Sequence, residues 1–380
     1  MLPPAMLGML GGGQLGRFFV IAAHEMGYKV TVLDPDKNSP AGKIADVHLC
    51  AAYDDQAALA QMARTCEAVT TEFENVPALT LSSLAEKVIV RPSAASVAIA
   101  QHRVSEKNFI KAAGLPVAPF ATINIAADLP NDDSGLYPAI LKVARFGYDG
   151  KGQARVKNQQ EALAAFAEFS GKECVLEKML SLDYEVSVVL ARDAQGNVAT
   201  FPTAENRHLN GILDISIAPS QKSEAINQAA QKLAVQVAEK LNYIGVLGVE
   251  FFVSEGNLLV NEIAPRPHNS GHYTIDACVT NQFEQQVRVL AGLPLGNSAQ
   301  HSKAVMVNVL GDIWPEPSEE KHAAPNWLLA FAELDLKMHL YGKESARPSR
   351  KMGHYTVIGQ DQDVVLDKAL QVRKNFGIGE

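Results

Sequence analysis

The sequence predicts a mixed fold: an α/β parallel-sheet region first, α+β regions after it, and a β-rich tail. Three observations carry this expectation. Over the first hundred residues, short apolar runs alternate with helical segments, the rhythm of a parallel sheet with helices on its faces. Beyond them, apolar runs follow one another across glycine-containing turns, with longer helices between. After about Ala304 the chain turns to short strands and loops carrying Pro and Gly. No internal repeat or low-complexity segment is visible.

The elements follow in order. MLGML is a short apolar strand, GGGQLG a turn, and RFFVIAAHEMG a helix stopped by Gly27. KVTVLD is the next strand, closed by Asp34 and Pro35. A helix over about 55–64 precedes the strand AVTTEF, and another over 77–86 precedes KVIVRPS. A helix over 104–113 ends at Gly114, ahead of Pro116 and Pro119. PAILKVAR and QARV read as strands flanking a glycine-rich loop, followed by a helix over 160–169 and the strands ECVLEKML and YEVSVVLAR. A long helix over 223–241 leads to VLGVEFFV, and SEGN turns the chain back into LLVNEIAP.

Composition narrows the function classes. The 380 residues are 47% hydrophobic and 20% charged, as in an ordinary globular protein with ample core. A net charge of −8 argues against a general affinity for nucleic acid, while leaving room for a local basic cluster that meets a small anion. Cys50, Cys66, Cys174 and Cys278 show no CxxC spacing and are expected as buried free thiols of a reducing compartment. The apolar N-terminus lacks a basic leader, and no apolar run reaches the roughly 18 residues that a membrane span needs. A cytoplasmic enzyme or binding protein, with no membrane partner, is expected.

Gly11, Gly13 and Gly16 form GxGxxG between a strand and a helix, with Asp34 ending the next strand. In that context glycines let backbone approach a phosphate, and the helix N-terminus adds free N–H groups and positive potential. A tight turn packed on the sheet is the plain alternative. The second cluster, RFGYDGKGQ, lies between two strands. Its glycines 147, 150 and 152 make a hairpin tip carrying Lys151, with Lys142 on the preceding strand. Such a tip can close over a polyphosphate and exclude water, or it can be an exposed turn with solvated charges.

Glu250 and Glu262 each break an apolar strand, and SEGN between them predicts a β-hairpin. A three-residue loop, 255–257, or a bulge of the same effect, places the two carboxylates directly opposite each other. A two-residue loop alone would pair Glu250 with Asn261 and send the carboxylates to opposite faces. The first arrangement is expected. Side-by-side carboxylates repel, and a hard divalent cation removes that cost, so the pair points to Mg²⁺ with room for phosphate oxygens. Asn261 can add a neutral oxygen. Exposed edge glutamates are the alternative.

Lys142, the glycine hairpin, ECVLEKML followed by Glu185, and the Asn-Glu strand together resemble the ATP-grasp superfamily, in which two α+β subdomains hold ATP between them. GGGQLGR, TEFENVP, FGYDGKGQ, NEIAPRPHNSGH and KESARPSRKMGH extend the likeness over essentially the whole chain. In that order they resemble the N5-carboxyaminoimidazole ribonucleotide synthase family of purine biosynthesis. The resemblance implies three regions: a Rossmann-like domain over 1–100, an ATP-grasp domain over 101–300 with a lid over about 121–182, and a β-rich domain over 301–380. It also implies a homodimer.

The same resemblance implies roles. Arg103 and Lys142 would contact ATP phosphates, with Phe146, Gly147, Tyr148, Asp149, Gly150, Lys151 and Gly152 folded over them. Glu177, Lys178, Met179 and Leu180 would hold adenine, largely through backbone. Glu185 would take the ribose hydroxyls with His208 nearby, and Glu250 and Glu262 would hold Mg²⁺ beside Asn261. Gln14, Leu15, Glu72, Tyr148 and Asp149 would face the aminoimidazole ribonucleotide. Arg266, His268, Asn269, Lys343, Arg350 and Lys351 would lie around it and its phosphate. Lys142 and Arg266 are the candidate catalytic groups. A metal role for His268 or His272 is disfavoured, since a hard cation prefers oxygen. The implied reaction joins bicarbonate to the ribonucleotide amine through carboxyphosphate, at the expense of ATP. Formate-dependent glycinamide ribonucleotide transformylase is a neighbouring alternative. An NAD-dependent oxidoreductase built on GxGxxG and Asp34, or a non-catalytic nucleotide-binding protein, belongs to other classes.

Overall fold

The computed structural model describes residues 1–145, 152–315 and 324–378. The first region is the expected parallel sheet. Its strands are β1 (Met6–Leu10), β2 (Lys29–Leu33), β3 (Val47–Leu49), β4 (Ala68–Thr71) and β5 (Ile89–Val90), in the order β3-β2-β1-β4-β5. Helices α1 (Gln14–Glu25), α2 (Gln56–Thr65), α3 (Ala78–Ala85) and α4 (Ala94–Ala100) connect and follow these strands. The buried runs of β1 and β2 explain the pattern: a strand covered on both faces reads as continuous apolar sequence.

Helix α5 (Arg103–Ala112) leads into a four-stranded antiparallel sheet of β6 (Phe120–Ile123), β7 (Ala139–Val143), β8 (Gln153–Val156) and β9 (Cys174–Lys178), ordered β6-β9-β7-β8. Helix α6 (Gln159–Glu168) buries Ala162, Ala165 and Phe166 in the core of this unit.

The largest sheet gathers β10 (Tyr184–Arg192), β11 (Val198–Thr200), β12 (Ala204–Leu209), β13 (Ile212–Ala218), β14 (Gly245–Ser254), β15 (Asn257–Ala264), β16 (Lys303–Leu310), β17 (Leu336–Leu340) and β18 (Lys351–Gly359). It runs β15-β14-β10-β12-β13-β16-β18-β17, with β11 paired to β10. Helix α7 (Glu224–Lys240) packs its apolar face, Ala230, Ala234 and Val237, on β10 and β14. Two further helices, α8 (Thr274–Ala277) and α9 (Gln282–Ala291), follow β15. Phe283, Val287 and Leu290 of α9 join Phe18 and Phe19 of α1 in one core, which fixes the first region against the large sheet.

The tail departs from expectation. Its strands β16 and β18 are eight and nine residues long rather than short. Besides α10 (Leu328–Phe331), it ends in a fourteen-residue helix, α11 (Gln362–Asn375). Val365, Ala369 and Val372 of α11 bury against β16 and β18, and Asp361 caps it by accepting from the amides of Asp363 and Val364. The thiols also differ in part: Cys66, Cys174 and Cys278 are buried, but Cys50 is exposed. Among the described residues, no helix is long and apolar enough to cross a membrane.

Candidate active site

The β14–β15 hairpin turns on two residues, not three. Ser254 pairs with Asn257, and Glu255 and Gly256 occupy the turn at φ 51° and 72°, the left-handed values of a tight hairpin. With that turn alone the register would set Glu250 opposite Asn261. Instead Phe251 pairs with Val260 and Glu250 with Glu262, so Asn261 is a bulge. The bulge brings the carboxylates face to face, the outcome expected from the longer loop. Burial, and then the charge of Glu262, push the Glu250 carboxyl up to about 7. Glu106, one turn into α5, is pushed up to about 8 by burial and by Glu262.

This donor set fits a hard cation. The carboxylates resist ionising together, and a divalent ion between them would relieve that. Among the described residues no group of three or more His, Cys, Asp or Glu converges on a metal position, so the two carboxylates leave room for phosphate or water oxygens around an ion.

Cationic groups stand beside the pair. Arg103 Nη1, at the start of α5, is 3.7 Å from Glu262 Oε2. Lys142 Nζ on β7 is 3.2 Å from Glu177 Oε1 on β9, and Lys107 Nζ is 3.2 Å from Glu177 Oε2. Burial would raise the Glu177 carboxyl, but Lys107 and Lys142 hold it below the usual range. Burial is also the main reason that Lys142 is lowered, against the pull of Glu177. The Glu177 side chain therefore serves the lysines, while the amides of its neighbours Lys178 and Met179 donate to the carbonyls of Pro119 and Pro138. Across the sheet, His208 Nδ1 lies 3.2 Å from Glu185 Oε2. Burial alone would lower His208, but Glu185 and Glu250 keep it above its ordinary value.

A second cavity, of about 200 Å³, is lined by Gln14, Leu15, Glu72, Phe73, Arg266, His268, Asn269 and Lys351. Arg266 Nε donates to Glu74 Oε2 at 2.6 Å, and His268 Nε2 lies 3.2 Å from Glu250 Oε1. One imidazole thus joins this cavity to the carboxylate pair. Asn269 spends its side-chain amide on a reciprocal pair with Asn308 of β16, at 2.7 and 3.1 Å. Lys343 Nζ donates to the Lys351 carbonyl at 2.7 Å, and its charge reaches Glu72. Arg350 is bound to Ser345 through its carbonyl and hydroxyl, both at 2.8 Å, apart from the lining residues.

The first glycine turn does not present a free phosphate cradle. The amides of Gly13 and Gly16 donate to Glu72, and that of Gly12 donates to Asp34 Oδ2 at 2.7 Å. Asp34 Oδ2 also accepts from the Tyr53 hydroxyl. Both acidic groups that a dinucleotide would need to displace or engage are bound to the protein itself, which removes the basis of the NAD reading. Of the second glycine loop, Phe146, Gly147, Tyr148, Asp149, Gly150 and Lys151 lie outside the described residues. Gly152 closes the β7–β8 hairpin, its carbonyl accepting from Val143 N at 2.9 Å.

Sequence reasoning missed Glu74, Glu106 and Lys107. The last two are adjacent charges on a helix whose first residue was already a candidate, but their burial, at 2% exposure each, shows only in the folded chain.

The chain matches a ribonucleotide synthetase preATP-grasp domain over residues 5–101, an ATP-grasp domain over 108–283 and a phosphoribosylaminoimidazole carboxylase C-terminal domain over 304–368. It is 42% identical to the N5-carboxyaminoimidazole ribonucleotide synthase of Bacillus subtilis (strain 168), over 95% of this chain and 93% of that one. With its counterpart from Brucella melitensis it shares 43% identity, over 94% and 97%. Among solved structures, the ADP complex of an N5-carboxyaminoimidazole ribonucleotide synthetase superposes with a TM-score of 0.90 at 40% identity, over 98% of this chain and 97% of that one. The Aspergillus clavatus synthase in complex with ADP and 5-aminoimidazole ribonucleotide gives 0.87 at 32% identity, over 99% and 100%.

Proposed function

The chain belongs to the N5-carboxyaminoimidazole ribonucleotide synthase family, and from this we propose how its two cavities divide the work. It is an ATP-grasp ligase that carboxylates 5-aminoimidazole ribonucleotide at the expense of ATP, in purine biosynthesis. The observation that supports our reading is the contact of His268 with Glu250: the cavity lined by His268 adjoins the paired carboxylates, and we read it as the ribonucleotide site.

On the ATP side, Arg103 and Lys142 hold phosphate oxygens. Lys178, Met179 and Leu180 border the adenine. With the Lys178 and Met179 amides already engaged, its recognition falls to their carbonyls and to Leu180. Glu185, tied to His208, receives the ribose hydroxyls. Glu250 and Glu262 would hold Mg²⁺, with Asn261 beside them; when bound, the ion neutralises charge on the transferring phosphoryl group.

Bicarbonate oxygen attacks the γ-phosphorus, ADP leaves, and carboxyphosphate forms. Lys142 and Arg103 steady the equatorial oxygens, and positioning supplies much of the remaining acceleration. Carboxyphosphate breaks down to CO₂ and phosphate, and the exocyclic amine captures the CO₂. On the ribonucleotide side, Arg266, held by Glu74, offers its charge to the anions. His268, Lys351 and Lys343 lie around the 5′-phosphate, Asn269 shapes the wall, and Glu72 faces the amine with Gln14 and Leu15, while Arg350, held by Ser345, stands apart from the lining. Water must stay out, because it hydrolyses carboxyphosphate.

We assign the domains to 1–100, 101–300 and 301–380, with a lid over about 121–182, and propose a cytoplasmic homodimer. ADP release measured with and without aminoimidazole ribonucleotide and bicarbonate tests the function. Release that needs both supports it, whereas release driven by formate and glycinamide ribonucleotide, or by neither substrate, overturns it.

A further inference from the structure

We infer that Lys107 is a positioning residue that sets the metal-facing strand and the phosphate-facing lysine from one buried ammonium group. The inference rests on the proposed roles of Glu262 and Lys142. Lys107 itself faces neither ligand: it is 2% exposed, one helical turn beyond Arg103 on α5.

Its Nζ makes two contacts. It donates at 2.9 Å to the carbonyl of Asn261, and it lies 3.2 Å from Glu177 Oε2. The first contact falls on the bulge. Asn261 is the residue that the β14–β15 register skips, and its insertion is what sets Glu262 opposite Glu250. A bulge residue stands outside the regular pairing of the ladder, so its half-buried carbonyl takes its donor from elsewhere. Lys107 supplies one. The neighbouring residue completes a clamp: Glu106 Oε1 accepts from the amide of Ile263 at 2.6 Å. Two successive residues of α5 therefore hold the peptide groups on either side of Glu262.

The second contact reaches the other wall of the cleft. Glu177 has one oxygen on Lys107 and the other 3.2 Å from Lys142 Nζ. With Lys107 present, the Glu177 carboxylate is divided between two lysines, one oxygen to each. Without Lys107, Glu177 would have Lys142 as its remaining lysine partner and would hold it more tightly. Helix α5 thus carries Arg103 to the cleft directly, and fixes Glu262 and Lys142 through Lys107 and Glu106.

The test compares wild type with Lys107→Met, which keeps the length of the side chain and removes its charge, and with Lys107→Met/Glu177→Gln, which removes both charges of that contact; Glu177→Gln alone is the control for the partner that Lys142 loses. Two readouts need no turnover. Amide hydrogen exchange of peptides spanning 258–264 is measured in the protein free of metal and nucleotide. Mg²⁺ is then titrated into each protein with ADP, and nucleotide binding is followed by calorimetry. In both Lys107→Met variants the bulge carbonyl has lost its donor. Exchange in 258–264 should quicken about tenfold, and the Mg²⁺ midpoint should rise about 10–100-fold. The KM for aminoimidazole ribonucleotide should stay within about twofold, which a general loosening of the fold would not allow.

Wild-type exchange and a wild-type midpoint in the folded double variant overturn the inference, even if the single variant fails to fold. Glu262→Gln separates this failure from failure of the metal assignment. A normal Mg²⁺ midpoint in Glu262→Gln removes the assignment itself. A defective Glu262→Gln beside a normal double variant removes only the role of Lys107.

Discussion

Glu72 occupies the glycine turn: its Oε2 accepts the amide of Gly16 at 2.7 Å, and its Oε1 accepts that of Gly13. The geometry that elsewhere binds a phosphate, free N–H groups at a helix N-terminus, here grips a carboxylate from the end of β4. Burial raises the Glu72 carboxyl above its ordinary value, and the two amides offset only part of that rise. Glu72 also lines the cavity proposed for the ribonucleotide, so the turn fixes one of its walls.

Gly13→Ala should therefore act at a distance from ATP. Gly13 has φ −75°, which alanine adopts freely, but an added Cβ would lie 2.5 Å from Glu72 Oε1. The carboxylate must move. We expect kcat/KM for aminoimidazole ribonucleotide to fall about 100-fold, since small misplacements of a positioned group cost that much. Calorimetric affinity for Mg·ADP should not change. Equal losses on both ligands would show that the turn supports the whole fold instead.

Glu262→Gln should raise the Mg²⁺ requirement. It removes one of two negative charges facing the ion. A unit-charge interaction at 4 Å is about 1 kcal/mol in water and about 4 kcal/mol at an effective dielectric of 20. The Mg²⁺ midpoint of ADP binding should rise by about 5- to 1000-fold across that range. The substitution also removes the second-ranked cause of the raised Glu250 carboxyl, so the Glu250 resonance should titrate at lower pH by NMR.

Lys142→Ala should leave the sheet intact and lower kcat about 10²–10³-fold, the usual loss when one preorganised charge stabiliser is removed from a reacting centre. Glu177 keeps Lys107 as its partner in that variant, so the buried carboxylate is not abandoned. Thermal unfolding and single-turnover phosphoryl transfer, measured on one preparation, separate the two effects. Near-normal transfer in a folded protein would remove Lys142 from the chemistry.

Local pattern reached much of this in the sequence. The βαβ rhythm places β1, β2, β4 and β5 but not the short edge strand β3, and the two glutamates in apolar strands mark the pair at 250 and 262. Long-range contacts stayed hidden. That Glu72 fills the GxGxxG turn depends on a residue 56 positions from Gly16, and no spacing rule connects them. The bulge at Asn261 is likewise set from outside the hairpin, by Lys107 and Glu106 on α5. Helix α11 was within reach: Asp361 before it and Val365, Ala369 and Val372 along one face give the cap and the period.

The buried histidines His272 and His354 should make stability depend on pH. His354 stacks between His272 and His339, with ring centroids 4.7 Å from each, and accepts from or donates to the Tyr341 hydroxyl at 3.0 Å. Burial, and then the neighbouring histidines, hold His354 well below the ordinary imidazole value; burial and His339 lead the same effect at His272. Both are neutral in the folded chain and take up protons when it unfolds. The unfolded state therefore binds more protons below about pH 6.5, and stability from these groups is complete above that value and is lost as pH falls. Each contributes a slope of up to about 1.4 kcal/mol per pH unit. Glu106 and Glu250, whose carboxyls are raised by burial and by Glu262, act with the opposite sign, so the wild-type slope is a balance. A difference measurement isolates the imidazole: urea unfolding from pH 7.5 to 5.5 should show a smaller loss of stability with acid in His354→Gln than in wild type. Parallel pH profiles would mean that His354 is not held neutral by its surroundings.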